Sequence, residues 1–269
     1  MKVYPNCKIN LGLNIVERRA DGYHNLETVF YPIPLCDELD IEKAAQETFE
    51  MDGMAIEGKP ADNLVMRAVA LLRENGYAIP PLRIRLTKRI PSGAGLGGGS
   101  SDAAHTVRLL NEMFGLRIST QRMAEMVCRL GADCPFFIHN TPVFAEGIGD
   151  VIQPVALDLA GWHLTLVKPD VFVSTKEAYA MVRPKRPETR VREIVSRPVE
   201  EWKDSLGNDF EGSVFPSHPA IREVKERLYG RGAVYASMSG SGSSVFSLSR
   251  KPLLLGNDFS DSFCFQCAL

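Results

Sequence analysis

Between Pro91 and Ala104 the chain reads Pro-Ser-Gly-Ala-Gly-Leu-Gly-Gly-Gly-Ser-Ser-Asp-Ala-Ala, with five glycines in the seven positions 93–99. Glycine lets the backbone take left-handed conformations and lie close against a ligand. Ser100, Ser101 and Asp102 suit the cap and first turn of a helix. A helix start presents N–H groups that lack intrahelical partners, together with a partial positive charge. The combination is an anion site, and a phosphate is the anion it suits best. The chemistry indicated is the handling of a nucleotide.

Three common nucleotide motifs do not account for this run. Gly93-x-Gly95-x-x-Gly98 satisfies the dinucleotide fingerprint literally, but no acidic residue stands about 20 residues further on, where Arg117 and Ile118 are found. A P-loop ends in Gly-Lys-Ser/Thr, whereas Gly99 runs straight into Ser100. The His-Arg-Asp and Asp-Phe-Gly signatures of protein kinases do not occur in the sequence.

The elements around the run follow from periodicity. Residues 8–15 alternate, with Ile9, Leu11, Leu13 and Ile15 on one face and Lys8, Asn10, Gly12 and Asn14 on the other, which predicts a half-buried strand. Residues 62–75 carry Leu64, Ala68, Leu71 and Leu72 at helical spacing behind Asp62 as an N-cap. Residues 81–88 alternate again. Ala103, Val107, Leu110 and Phe114 form a helical stripe, so the glycine run joins a strand to a helix. Helices are predicted over 119–130 and 219–228, and strands over 162–167, 234–238 and 245–248. The Pro- and Arg-rich stretch 183–203 reads as a solvated helix or loop. Strands and helices interleave without a regular βαβ repeat, which points to an α+β fold.

Other residues with chemical potential are ambiguous by pattern alone. Lys8 is either an exposed strand-start lysine or a compact cation for a phosphoryl group. Asp133, in Gly131-Ala132-Asp133-Cys134-Pro135, is either a turn or N-cap residue or a general base. Tyr23 and His24 are either a packed ring and a solvated imidazole or a stacking face beside donor and acceptor edges. Asn63 is a helix cap or a nucleotide contact, and Lys88 a strand-end charge or the same.

Composition bounds the remainder. With 269 residues, 45% hydrophobic and 24% charged, the chain can build a sizeable core in one large domain or two modest ones. A net charge of −2 argues against bulk nucleic-acid binding. No apolar run reaches the roughly 20 residues of a membrane span, and residues 1–6 do not form a signal-peptide core, so a cytoplasmic setting is expected. Cys7, Cys36, Cys128, Cys134, Cys264 and Cys267 are irregularly spaced and read as reduced thiols. The pair Cys264-x-x-Cys267 has no second pair or neighbouring histidines to complete a zinc site.

Residues 91–101 resemble the phosphate-binding motif of the GHMP kinases. Lys8-Ile9-Asn10-Leu11 is similar to the first motif of that family, and Ser237-Met238-Ser239-Gly240-Ser241-Gly242-Ser243 to its C-terminal glycine loop. Arg19-Ala20-Asp21-Gly22-Tyr23-His24, residues 131–137 and Gly207-Asn208-Asp209-Phe210-Glu211 resemble the branch that phosphorylates the 2-hydroxyl of a cytidine diphosphate-linked methylerythritol in the non-mevalonate isoprenoid route. The resemblance covers most of the chain and fades after Ser249.

The resemblance implies a two-domain α+β fold, with an N-terminal ATP-binding domain over 1–155, a C-terminal domain over 156–269 and an active site in the cleft between them. It implies Asp133 as general base paired with Lys8. Asn10, Tyr23, His24, Thr175 and Tyr179 would meet the substrate, with Tyr179 as a second stacking partner for cytosine. Asn63, Lys88, Pro91, Ser92, Gly93, Ala94, Gly95, Leu96, Gly97, Gly98, Gly99, Ser100 and Ser101 would meet ATP. A Mg2+ ion would accompany ATP, touching Ser101 or a neighbouring hydroxyl. The expected partners are these small molecules, with no nucleic acid or membrane, in a monomer or homodimer. A homoserine- or mevalonate-type kinase and an inactive nucleotide-binding sensor are the alternatives; the former would lack Tyr23-His24, and the latter sits poorly with Lys8 and Asp133 both present.

Overall fold

The computed structural model describes residues 1–55 and 59–269. Its strands are β1 (Lys2–Val3), β2 (Asn6–Arg18), β3 (His24–Cys36), β4 (Glu38–Lys43), β5 (Thr48–Gly53), β6 (Leu82–Lys88), β7 (Val143–Glu146), β8 (Val151–Pro154), β9 (His163–Pro169), β10 (Tyr235–Met238), β11 (Val245–Ser249) and β12 (Ser262–Ala268). The helices are α1 (Leu64–Glu74), α2 (Gly98–Met113), α3 (Thr120–Val127), α4 (Cys134–His139), α5 (Thr175–Ala180), α6 (Val191–Ile194), α7 (Asp209–Val214) and α8 (Pro219–Gly230). Mixed helices and mostly antiparallel sheets make this an α+β fold, as the interleaved pattern predicts.

The chain gathers into two compact units that interleave along the sequence. The first comprises residues 1–7, 34–92 and 97–141, and the second residues 8–33, 93–96 and 142–269. The glycine run is therefore shared, with Gly93–Leu96 in the second unit and Gly97 onward in the first.

In the first unit one sheet has the order β1-β4-β6-β5, with β5 parallel to β6. Its core face is the predicted alternation, Leu82, Ile84 and Leu86, all buried. Helix α1 buries Val65, Ala68, Val69, Leu71 and Leu72 along one stripe. Its cap is Asn63, one residue beyond the expected Asp62, and the Asn63 carboxamide oxygen accepts from Val65 N at 2.9 Å. Asp62 instead closes a short 3-10 turn, Pro60–Asp62. Helix α2 begins at Gly98, earlier than the hydroxyl-based cap predicted, because Gly97 takes the left-handed conformation (φ +70°) and turns the chain into the helix.

The second unit holds two sheets, β2-β3-β7-β8 and β10-β11-β9-β12. Ile9, Leu11, Leu13 and Ile15 are buried as predicted, but so are Lys8 and Asn10 on the opposite face of β2. The stretch 183–203 is not simply solvated. Val191, Ile194, Val195, Val199 and Trp202 are buried, and Arg190 pairs with Glu27 and Glu146. The C-terminal strand β12 pairs with β9 over its whole length. Residues three apart on a strand point to opposite faces, so Cys264 and Cys267 do not converge on one ion. Among the described residues no helix is long and apolar enough to cross a membrane, and no group of three or more His, Cys, Asp or Glu could hold a metal.

Candidate active site

In the first unit the predicted nucleotide residues converge on the start of α2. The first N–H groups of a helix have no intrahelical acceptor, and here they belong to Gly98, Gly99 and Ser100 on a turn of glycines. A β-carbon on Gly99 would meet the Leu64 side chain at 3.3 Å, which sets Asn63 and the start of α1 beside this turn. Pro91 is buried and Ser92 exposed on the approach from β6.

Asp133 occupies the N-cap position of α4, with no hydrogen bond from its side chain to the first turn. The next residue, Cys134, is buried, and its sulfur and the Ser100 hydroxyl both border Gly131, where a β-carbon would lie 3.5 Å and 3.6 Å from them. Burial pushes the Cys134 thiol up to about 12, so it remains neutral and acts as packing.

Two expectations change here. Lys88 is buried, and its ammonium donates to Asp37 and, at 2.6 Å, to Asp102 of α2. Asp37 also accepts from Arg89 N (2.6 Å) and Ile90 N (2.8 Å). Desolvation raises the Asp102 carboxyl to about 8 against the pull of the Lys88 ammonium. Lys88 thus braces the glycine turn from behind, and its charge faces Asp37 and Asp102. Ser101 is fully buried, and its hydroxyl donates to Asn6 O at 2.6 Å, so it does not face a metal. The half-buried neighbour Ser100 is the hydroxyl at the helix start.

In the second unit the first half of the glycine run is clamped between β2 and the turn after β10. Lys8 N donates to Leu96 O at 3.0 Å, and Ser244 N to Ala94 O at 3.3 Å. The Lys8 ammonium, 3% exposed, donates to Gly95 O (2.9 Å) and Asn10 Oδ1 (2.6 Å) and lies 5.1 Å from the centre of the Phe30 ring. The exposed-lysine alternative is thereby excluded. Asn10 Nδ2 donates to Thr28 Oγ1 at 3.1 Å, which fixes the carboxamide with its oxygen toward Lys8. Ser239 Oγ donates to Gly95 O at 2.9 Å. Gly93 packs under Phe172, where a β-carbon would approach the ring to 2.9 Å.

A second cluster of this unit is aromatic. The His24 and Tyr179 rings stack at 4.8 Å with 21° between their planes, and Phe210 meets Tyr179 edge-on at 4.8 Å. Tyr23 is 62% exposed, an apolar face open to a ligand. Desolvation and then the Arg18 charge lower the His24 pKa, so the imidazole is neutral at pH 7 with one donor and one acceptor. Thr175 is exposed at the start of α5, one turn before Tyr179. Sequence reasoning missed Ser239, Thr28 and Asn208 as individual contributors. Ser239 and Asn208 lay within motifs that stood out, whereas Thr28 carried no signal.

Comparisons with known proteins place the chain in a family. The sequence model described as GHMP kinases N terminal domain matches residues 63–141, and the one described as GHMP kinases C terminal matches residues 191–254. The chain is 54% identical to the 4-diphosphocytidyl-2-C-methyl-D-erythritol kinase of Bacteroides fragilis, over 100% of both chains. It superposes on a crystal structure of 4-(cytidine 5'-diphospho)-2C-methyl-D-erythritol kinase with a TM-score of 0.82 at 32% identity, covering 99% of this chain and 98% of that one. The homoserine kinase of Cytophaga hutchinsonii, at 18% identity and a TM-score of 0.65 over 98% of this chain and 94% of that one, shares the fold. The chain belongs to the GHMP kinases, and within them to the family of the 4-diphosphocytidyl-2-C-methyl-D-erythritol kinases.

Proposed function

We propose that this protein transfers the γ-phosphoryl group of ATP to the 2-hydroxyl of 4-diphosphocytidyl-2-C-methyl-D-erythritol. The observation that carries the reading is the buried Lys8 ammonium drawn onto the carbonyl of Gly95, within the glycine run itself. A cation built into a phosphate loop suits phosphoryl transfer, which asks the protein for positioning and for neutralisation of charge. The relatives' names supply the acceptor.

In this reading the backbone of Gly93–Ser101, framed by Pro91 and Ser92, cradles the ATP phosphates, and Asn63 lies on the nucleotide side. Asp133 takes the proton of the acceptor hydroxyl as its oxygen bonds to the γ-phosphorus and the bond to the departing ADP breaks. Lys8 supplies positive charge to the migrating group, and Asn10 orients the hydroxyl. Tyr23 and Tyr179 offer stacking faces to cytosine, while neutral His24 offers complementary edges to its ring nitrogen and amine; Thr175 borders the same site. A Mg2+ ion accompanying ATP would neutralise phosphate charge, and the Ser100 hydroxyl would hold it from the protein side. The division into an N-terminal domain, 1–155, and a C-terminal domain, 156–269, is retained, and the two matched segments fall on either side of it.

The test is ADP release measured side by side with the cytidine-linked substrate, homoserine and mevalonate. Turnover with the cytidine-linked substrate is expected. Turnover confined to homoserine or mevalonate would contradict the acceptor assignment, and nucleotide binding without turnover would indicate a sensor.

A further inference from the structure

The segment Gly207-Asn208-Asp209-Phe210-Glu211 stands out in the sequence and has no part in the chemistry above. Its side chains reach both ends of the second unit's site. The Asn208 amide is buried and fully used. Nδ2 donates to Met238 O (2.7 Å) and Gly240 O (2.9 Å), and Oδ1 accepts from Phe210 N (3.0 Å). Carbonyls only accept, so the orientation of this amide is fixed by its partners. The held turn contains Ser239, whose hydroxyl accepts from Asn10 N (3.2 Å) and donates to the same Gly95 carbonyl that binds Lys8. Two residues on, Phe210 sets its edge against Tyr179, which lies over His24. Between them Asp209 Oδ2 accepts from Ile15 N at 2.7 Å, and Leu13 N donates to Gly207 O at 2.9 Å. The segment is thus pinned to β2, the strand that carries Lys8 and Asn10.

We propose that Asn208 and Phe210 are positioning residues for the acceptor, Asn208 setting the Lys8–Asn10 end through the 238–240 turn and Phe210 setting the base-stacking end through Tyr179. This rests on the proposed acceptor. A side chain that merely stabilised the fold would affect both substrates alike. The bracket affects them separately, because its two arms end at different parts of one substrate. Loss of the Asn208 arm misplaces the groups around the reacting hydroxyl and lowers kcat. Loss of the Phe210 arm frees Tyr179 and weakens hold on the base.

The test compares the full-length protein with Phe210→Leu and Asn208→Ser, measuring kcat, KM for each substrate, and the affinity for cytidine diphosphate (CDP) alone. Phe210→Leu should raise the acceptor KM and the CDP Kd about fivefold to tenfold, with kcat and the ATP KM unchanged. Asn208→Ser should lower kcat about a hundredfold with CDP affinity unchanged. Equal rises in the ATP and acceptor KM for Phe210→Leu would overturn the proposal, as would a loss of CDP affinity in Asn208→Ser matching its loss of kcat. If Asn208→Ser does not fold, the CDP and ATP measurements on Phe210→Leu decide alone. Wild-type protein that fails to bind CDP would overturn the acceptor reading itself, whereas wild-type binding without the Phe210 split overturns only the bracket.

Discussion

Gly95 lies so close to Ser239 that a β-carbon on residue 95 would sit 1.9 Å from the Ser239 carbonyl oxygen. The same glycine has φ +73°, and its own carbonyl accepts from both Lys8 Nζ and Ser239 Oγ. Glycine is required there twice over, by conformation and by contact. The glycine run is thus shaped by residues from distant parts of the chain.

Gly95→Ala is accordingly expected to cost at least about 2 kcal/mol of stability, since backbone must move to admit the methyl group. Thermal or urea unfolding checks this, and Gly76→Ala provides the control. Gly76 is also at positive φ (+83°), but a β-carbon there meets nothing within 4 Å, so its cost should be the smaller.

Asp133→Asn keeps the shape of the turn and removes the proposed proton acceptor. Its kcat should fall about 10²–10⁴-fold with the KM values little changed. Steady-state ADP release reports this, and full turnover in the variant would remove Asp133 from the role of base.

Cys134 adjoins Asp133 but is buried, and burial keeps its thiol neutral. Cys134→Ser should retain activity within about threefold, because the replacement preserves a small hydrogen-bonding side chain. Alkylating reagents should modify exposed Cys264 before Cys134.

The acceptor KM should depend on His24 protonation. The folded-state pKa is lowered below 6.5, so the neutral ring persists at pH 7 and down to that lowered value. As pH falls through it, the ring gains a proton and loses its acceptor edge, and the acceptor KM should rise while the ATP KM stays flat. His24→Gln should remove this acid limb, which a pH profile of both KM values would reveal.

The sequence made β2 legible through its strict alternation, and the glycine run legible through composition. The burial of Lys8 was not legible, because the groups holding it arrive from residues 95 and 239. Lys88 illustrates the same limit. Its partners Asp37 and Asp102 lie 51 and 14 residues away, so a strand-end charge and a nucleotide contact looked alike. The long strand β3 escaped the pattern reading because Pro32 and Pro34 interrupt a run whose two faces are both apolar in part. In residues 183–203 the basic residues obscured the buried set Val191, Ile194, Val195, Val199 and Trp202, whose covering surfaces lie elsewhere in the chain. The role of Asn208 required knowing where the turn at 238–240 lies.

In the proposed reading the protein recognises a cytidine-bearing alcohol through Tyr23, His24 and Tyr179 and phosphorylates it. Measuring kcat/KM for 4-diphosphocytidyl-2-C-methyl-D-erythritol against 2-C-methyl-D-erythritol 4-phosphate, which lacks the cytidine, tests it most directly. A preference of at least about a hundredfold for the cytidine-linked alcohol is expected, since stacking and paired hydrogen bonds to the base are lost together in the other. Equal kcat/KM for the two alcohols would contradict it.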